Sequence, residues 1–245
     1  MKTLKTLFAC VAIALFTLSI SIPQAFSQKV KGNHNVVIKE RSILSFEKVE
    51  ISGGYSIILS QNEKESLKVE TDENLQEYII SEVVGNTLKI YTKDDVSITD
   101  NSKMKLYISV KNLKYLEISG AVDLENDTKI NLDELVLNIS GASSIKLSDL
   151  VTNKLKLDFS GASNVKWKGS ANEVNAEMSG ATDFDAYDFE AQSFKIDISG
   201  TGNAKIHVSK KLIASISGIG TIKYKGNPEV VQKDSNFLGS IQKVK

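Results

Sequence analysis

A Ser-Gly pair, usually followed by Ala, recurs six times in the second half of the chain at a nearly constant interval. The glycines of successive copies are separated by 21, 20, 19, 20 and 18 residues. Self-similarity at such a period is typical of solenoids, in which each repeat stacks on its neighbour. The sequence therefore predicts a stack of coils, each about one repeat long. The copies are Ser119-Gly120-Ala121, Ser140-Gly141-Ala142, Ser160-Gly161-Ala162, Ser179-Gly180-Ala181, Ser199-Gly200-Thr201 and Ser217-Gly218-Ile219.

The residues on either side of each glycine alternate between apolar and polar types. Apolar residues lie two, four and six positions before the glycine, as Ile139, Leu137 and Leu135 do before Gly141, and again four and six positions after it. Lys114, in the first copy, is an exception. Strict alternation is the period of a strand with one buried face. The pattern predicts an all-β fold, a β-solenoid like a parallel β-helix, with two or three short strands per coil.

The small residues of each Ser-Gly-Ala triplet interrupt this alternation. Glycine permits a tight bend and a close approach of neighbouring backbones, so the triplet predicts a thin corner in every coil. Leucine-rich repeats have a similar period, and Leu132, Leu135 and Leu137 match the way they begin. They require asparagine where this chain has Ser140, and a helical or 3₁₀ return. The β-solenoid is therefore the preferred interpretation.

The N-terminus has the features of a secretory signal peptide. A positively charged start precedes the apolar residues 7–22, and small residues at 25 and 27 suit a signal peptidase. We predict a signal peptide over residues 1–27 and a mature chain, with no membrane span, that is exported to the periplasm, the outer surface or the medium. The alternative is a retained N-terminal anchor, although the apolar run is shorter than the ~20 residues of a membrane span.

The rest of the chain, residues 28–245, is predicted to form a single β-solenoid domain, because no linker rich in proline, glycine or serine divides it. Residues 28–112 have strand character but a less regular pattern. Residues 113–228 carry the clear repeats, and residues 229–245 are expected to cap the open end of the stack, since a solenoid with an exposed strand edge tends to aggregate.

Two local features are predicted in the less regular segment. Gly85 and Asn86, between the apolar Val84 and Leu88, indicate a hairpin turn. Residues 72–81 are compatible with one short helix, for which Asp72 is the candidate N-cap.

Composition excludes several classes of function. The chain has 30 basic and 30 acidic residues and thus no net charge, and Arg41 is its one arginine. Neither nucleic acid nor an acidic membrane surface is therefore an expected partner. The one cysteine, Cys10, lies within the predicted signal peptide, so the mature chain can form neither disulfides nor thiolate metal sites.

Candidate chemistry is confined to the outward columns of the repeat. Their acidic side chains are densest at Asp183, Asp185 and Asp188, near Tyr187. Carboxylates on stacked coils can bind a hard cation such as Ca²⁺ weakly, and paired carboxylates can serve a glycosidase or, with lysine as the base, a lyase. A solvated face of alternating charge is the commoner reason for such a pattern. We therefore assign no catalytic, metal or cofactor-binding residue.

Three further side chains have simpler interpretations than ligand binding. His34 and His207 are too few and too scattered for a metal site, and His207 falls on an outward position. Trp167 occupies an inward column, which favours core packing over stacking on a sugar.

The reiterated Ile-Ser-Gly-Ala, the segment Phe46-Glu-Lys-Val-Glu-Ile-Ser-Gly53 and Gly85-Asn-Thr-Leu-Lys-Ile90 resemble the GIN domain, labelled a "putative autotransporter adhesin head domain" and found in secreted proteins of Bacteroidetes-type bacteria. The resemblance covers roughly residues 42–227. It implies a β-helix-like solenoid and an adhesin-like, non-enzymatic module that binds a glycan or an envelope or surface protein. The alternative function is a carbohydrate-active β-helix enzyme, a polysaccharide lyase or glycosidase.

Overall fold

The computed structural model describes residues 27–236 and 238–244. The predicted signal peptide, apart from Ser27, lies outside these residues. The described part of the chain is built of strands, with one 3₁₀ turn at Glu73–Leu75 as its helical element. The strands are β1 (Gln28–Lys31), β2 (Val36–Arg41), β3 (Lys48–Ser52), β4 (Tyr55–Gln61), β5 (Ser66–Asp72), β6 (Ile79–Val84), β7 (Thr87–Thr92), β8 (Val96–Thr99), β9 (Met104–Val110), β10 (Tyr115–Asn126), β11 (Ile130–Phe159), β12 (Ala162–Met178), β13 (Ala181–Ile198), β14 (Thr201–Ile216), β15 (Ile219–Lys225), β16 (Val230–Ser235) and β17 (Gly239–Lys243).

Strands β10 to β15 stack in chain order, and every neighbouring pair is parallel. The first two copies of the repeat pair residue for residue, so that Ser119 faces Ser140 and Gly120 faces Gly141. The same triplet positions pair in the next coils, where Ala162 lies beside Ala181. The predicted all-β solenoid is confirmed, and its coils follow the repeat period.

Burial divides each coil into three faces. In β11 the buried positions run through Leu135, Leu137 and Ile139, skip the glycine of the triplet and resume in the same phase at Ser143, and then change phase before Leu150. A further pair of exposed residues, 153–154, precedes the first buried position of the next coil. Because a strand alternates with a period of two, each interruption of the alternation, at the triplet or at a change of phase, marks a corner. The residues of the first and second faces were predicted from the repeat, whereas the third, which the expectation of two or three strands per coil allowed, had no residues assigned to it.

The Ser-Gly-Ala triplet is a corner, as predicted, and its glycine is sterically required. The backbone of Gly141 has φ +121°, which side-chain-bearing residues rarely adopt. A Cβ built on Gly141 would lie 2.1 Å from the carbonyl oxygen of Gly120, and one on Gly161 would lie 1.8 Å from that of Gly141. The glycines thus form a column in which consecutive backbones touch.

The interior of the stack is filled by the predicted apolar columns, which are buried at every copy except at Lys114 and half-buried Asn126, both in the first copy. Its centre is aromatic. Trp167 is 1% exposed and packs edge-on against Phe184 and Phe189, with ring centroids 5.4 and 6.0 Å away. Burial of such rings contributes much of the apolar area that holds adjacent coils together. The interpretation of Trp167 as a core residue is confirmed.

The N-terminal segment continues the stack in an order that departs from chain order. Strands β3 and β4 lie parallel on β10, which places Ser52 beside Ser119. On the other side of β3 and β4 lie β7 and β9, also parallel. Strands β2, β5 and β6 add antiparallel pairs at this end.

The hairpin predicted at Gly85 and Asn86 is confirmed, since β6 and β7 are antiparallel and Val84 pairs with Thr87 across the turn. The helix predicted over residues 72–81 is wrong. Only Glu73–Leu75 forms a 3₁₀ turn, the side chain of Asp72 makes no cap hydrogen bond, and β6 begins at Ile79. Pairing of β6 with β7 and burial of Ile79 outweigh the local helix signals.

The segment predicted as a C-terminal cap, residues 229–245, contains β16 and β17. These pair parallel with β14 and β15, respectively, so they extend the stack by most of another coil.

Candidate functional site

The triplet corner carries a shallow trough on its outer side. The residues three positions after the first five glycines lie along it and are exposed, whereas half-buried Thr221, in the sixth copy, does not line it. The trough, of about 680 Å³, is otherwise bordered by alanine and other small side chains. The column consists of Asp123, Ser144, Asn164, Asp183, Asn203 and Thr221.

The acidic cluster does not assemble into one groove. Asp185 lies 3.5 Å from Nζ of Lys205 in the following coil, and Asp188 lies 3.5 Å from Nζ of Lys168 in the preceding coil. Asp183 lines the trough at the triplet corner, whereas Asp185 and Asp188 do not. The three carboxylates therefore belong to separate surroundings, two of them already in partly exposed ion pairs.

Tyr187, beside the same cluster, lies under two lysines. The ammonium groups of Lys205 and Lys225 stand 6.0 and 5.6 Å from its ring centroid. Burial raises the pKa of the Tyr187 hydroxyl, and Lys205 opposes that shift. An ordinary cation–π cluster on a charged face accounts for this arrangement.

The remaining ionisable candidates have structural partners. Nδ1 of His34 lies 2.8 Å from the hydroxyl of Ser102. The guanidinium of Arg41 donates to the backbone oxygen of Gln76 at 2.6 Å and to its side-chain oxygen at 2.9 Å. Over residues 27–236 and 238–244, no group of three histidine, cysteine or acidic side chains is placed to hold a metal ion.

A chain of hydrogen-bonded side chains runs along the corner that follows the third face, and we call it the amide ladder. Lys210 Nζ donates to Gln192 Oε1 at 2.8 Å, and Gln192 Nε2 donates to Asn172 Oδ1 at 2.8 Å. Asn172 Nδ2 donates to Asn153 Oδ1 at 2.7 Å, and Asn153 Nδ2 donates to Asp133 Oδ1 at 3.3 Å. Each bond joins one coil to the next. All bonds point the same way, from an ammonium at one end to a carboxylate at the other.

The amide ladder was not predicted, because its members drift relative to the repeat. They stand 13, 12, 11, 12 and 10 residues after the glycines of their coils. Register shifts between Leu147 and Leu150 and between Ala186 and Glu190 compensate for the drift. Polar residues at a roughly constant distance beyond each triplet were the available signal. The members are Asp133, Asn153, Asn172, Gln192 and Lys210.

The amide ladder borders the cleft that we consider the best candidate site. The cleft has a volume of about 600 Å³ and is lined by segments of four consecutive coils. Half-buried Val151 and Ser170 contribute to its lining, and the ladder members from Asp133 to Gln192 stand along it. In the part of the chain that the structure describes, the charged side chains lining it are those of Asp133 and Glu190.

The stacked coils and the polar side chains along their corners define a β-solenoid protein whose outer faces carry repeated polar ladders. The chain belongs to the family described as "Putative auto-transporter adhesin, head GIN domain", whose model matches residues 45–228. The resemblance to the GIN domain, which the repeated triplet indicated, is thereby confirmed. No curated protein matches the sequence. Among residues 27–236 and 238–244, the structure contains no helix with the length and hydropathy required to span a membrane.

Solved structures share the fold at low sequence identity. A protein of Bacteroides fragilis described as a "putative adhesin" is 21% identical, with a TM-score of 0.84 over 88% of this chain and 100% of that one. A "putative lipid binding protein" of Parabacteroides distasonis is 24% identical, with a TM-score of 0.75 over 89% of this chain and 100% of that one. A "putative adhesin" of Parabacteroides merdae is 23% identical, with a TM-score of 0.65 over 89% and 99%. These likenesses establish the fold alone.

Proposed function

We propose that the chain is an exported, non-enzymatic binding module that engages a glycan or an envelope or surface protein through the outer faces of its coils. Membership of a family described as an adhesin head domain supports an adhesin-like role. The observation that carries the proposal is the in-register repetition of polar side chains on exposed faces, above all in the amide ladder. Repeated weak contacts on a rigid scaffold add up to useful affinity without a deep pocket.

The alternative, a polysaccharide lyase or glycosidase, has less support. Such enzymes need paired carboxylates, or a carboxylate and a base, on either side of one reacting bond. The ion pairs of Asp185 and Asp188 hold these carboxylates toward different coils.

Two assays run together test the proposal. The purified chain is applied to a glycan array and to a pull-down from envelope extracts, and the same polysaccharides are incubated with it and searched for cleavage products. We expect selective binding of a glycan or a surface protein and no change in any polysaccharide. Turnover of any polysaccharide would overturn the proposal. Capture of an envelope protein with a blank array would identify the partner as protein.

A further inference from the structure

We propose that the amide ladder and its cleft form a binding site for an electrically neutral, hydroxyl-rich glycan chain that lies along the axis of the stack. The inference rests on the proposed binding function and narrows it to one face and one class of ligand. It is argued from the unused hydrogen-bonding capacity of the ladder, its rigidity, its length and its charge.

Each amide of the ladder retains hydrogen-bonding capacity. A side-chain amide has two N–H donors and an oxygen with two lone pairs. The ladder uses one donor and one lone pair of Asn172, in its bonds to Asn153 and from Gln192. One donor and one acceptor remain at each such exposed amide. A sugar hydroxyl is likewise both a donor and an acceptor, so adjacent hydroxyls can satisfy one amide.

The bonding within the ladder holds these groups in place before a ligand arrives. Lys210 at one end and Asp133 at the other polarise the chain of amides in a single direction, which strengthens its bonds. An isolated exposed asparagine loses rotamer freedom when it binds a ligand, whereas an amide already bonded on both sides loses less. The amide ladder therefore presents its remaining donors and acceptors in positions that are fixed before a ligand binds.

The cleft has the dimensions of a short saccharide segment. Neighbouring coils are separated by about 4.8 Å, so the four coils that line the cleft extend over roughly 14 Å. A pyranose ring in an extended chain advances by about one coil spacing, which places successive rings beside successive amides. Three or four rings would fill the site.

The charge of the cleft selects against acidic glycans. Asp133 and Glu190 line it, and both side chains are exposed. Their carboxylates can accept hydrogen bonds from hydroxyl groups, but they repel uronate, sulfate or phosphate groups within a Debye length, whereas Lys210, the cationic member of the ladder, stands at its end outside the cleft lining. A neutral glycan is therefore favoured over a polyuronate.

Nuclear magnetic resonance of the uniformly ¹⁵N-labelled full chain tests the site directly, because side-chain NH₂ groups of asparagine and glutamine give separate signals. The probes are cellotetraose, mannotetraose and the tetramer of N-acetylglucosamine, with tetragalacturonate as the acidic control. We expect at least one neutral probe to shift the NH₂ signals of Asn153, Asn172 and Gln192, and tetragalacturonate to leave them unchanged. Shifts confined to another face, a stronger effect of the acidic probe, or no response to any neutral probe would overturn the inference.

A matched pair of variants measures the contribution of the ladder to affinity. Asn172→Ala removes a central ladder amide, whereas Asn164→Ala removes an exposed amide from the triplet corner of the same repeat. We expect Asn172→Ala to weaken binding of the responding probe by about tenfold and Asn164→Ala to change it less than about twofold. Equal affinities for both variants, with both folded by circular dichroism, would contradict the inference.

The failure of this inference is distinguishable from that of the proposed function. If a glycan binds elsewhere, or if a surface protein is captured and no glycan binds, the assignment of the site is wrong but the proposed binding function stands. If a probe is cleaved, the proposed non-enzymatic binding function is itself wrong.

Discussion

The side-chain amide of Asn172 donates to Oδ1 of Asn153 across 2.7 Å and so connects two successive coils outside their backbone ladder. Asn172 is in turn the acceptor for Gln192 of the following coil. Because every bond of the amide ladder has the same direction, each amide strengthens the acceptor or donor character of the next. The ladder thus connects successive coils by side-chain hydrogen bonds, and it is also the most regular polar feature of the outer surface.

This arrangement predicts a measurable coupling between ladder members. Asn172→Ala removes two exposed hydrogen bonds and should lower the free energy of unfolding by about 1 kcal/mol. Combined with Gln192→Ala, it should show a coupling energy of about 0.5 kcal/mol in a double-mutant cycle measured by urea unfolding. Asn164→Ala, exposed at the triplet corner, serves as the control. Strict additivity of Asn172→Ala and Gln192→Ala would contradict the ladder as a coupled unit.

The glycine column should tolerate no side chain. Gly161→Ala places a Cβ about 1.8 Å from the carbonyl oxygen of Gly141, so the two coils must separate at that corner. We expect a loss of about 3 kcal/mol in the free energy of unfolding. Gly54→Ala is the matched control, since its nearest contact would be the oxygen of Ala121 at 3.7 Å. Its stability should change by less than about 1 kcal/mol, and a similar loss in both variants would contradict the steric account.

Lowering the pH should destabilise the N-terminal end of the fold, because it protonates the carboxylate of Glu70. Burial raises the pKa of Glu70, but hydrogen bonds from Lys103 at 2.6 Å and from the hydroxyl of Tyr107 at 2.7 Å outweigh it and hold the pKa below its ordinary value. A carboxyl group whose pKa is lowered by folding contributes stability above its unfolded pKa of about 4.3 and loses it as the pH falls through the folded pKa.

The variant Glu70→Gln isolates that contribution. At pH 7 it should be less stable than the wild type by about 1 kcal/mol, because the ion pair with half-exposed Lys103 is lost. The difference should shrink steadily below about pH 4.3. Urea unfolding at several pH values measures it, with Glu40→Gln as the control for an exposed glutamate. A difference independent of pH would contradict the assigned role of the carboxylate.

Metal ions should have no specific effect on the fold. Since Asp185 and Asp188 are paired with lysines, we expect the same Tm in millimolar Ca²⁺ and in excess EDTA. A cation bound only by the folded chain would raise Tm with concentration in a saturable way. Such a rise, abolished by Asp183→Asn, would revive the calcium site considered from the sequence.

The repeat made the scaffold predictable to the level of individual residues. Strict alternation around each glycine assigned positions such as Leu157 and Val165 to the interior, and both are fully buried. The residues of the third face were not assigned because its buried positions follow a register shift and lie at varying distances from the triplet, as Thr152 and Ala171 do at 11 and 10 residues after their glycines. The N-terminal stacking of β7 and β9 on β3 and β4 was unpredictable for another reason, since non-sequential pairing leaves no period in the sequence.

The candidate site was harder to predict than the core. Burial restricts the core to apolar residues, whereas an exposed ladder needs only side chains that reach each other across a corner. Asn153 and Gln192 differ in length and in distance from their glycines, and only the folded backbone aligns them. The acidic cluster was conspicuous in the sequence, but a register shift after Ala186 sets Asp188 apart, and Asp185 and Asp188 pair with lysines of different coils.

The most direct test of the account is the dependence of affinity on ligand length, because binding along successive coils and turnover at one point predict different results. The neutral oligosaccharide that responds best is supplied as the monomer up to the hexamer, titrated calorimetrically, and then recovered for mass spectrometry. We expect the Kd to fall with each ring up to about four, the number of coils lining the cleft, and then to level off, with every recovered ligand unchanged in mass. A monosaccharide bound as tightly as the tetramer, or a ligand recovered in pieces, would contradict it.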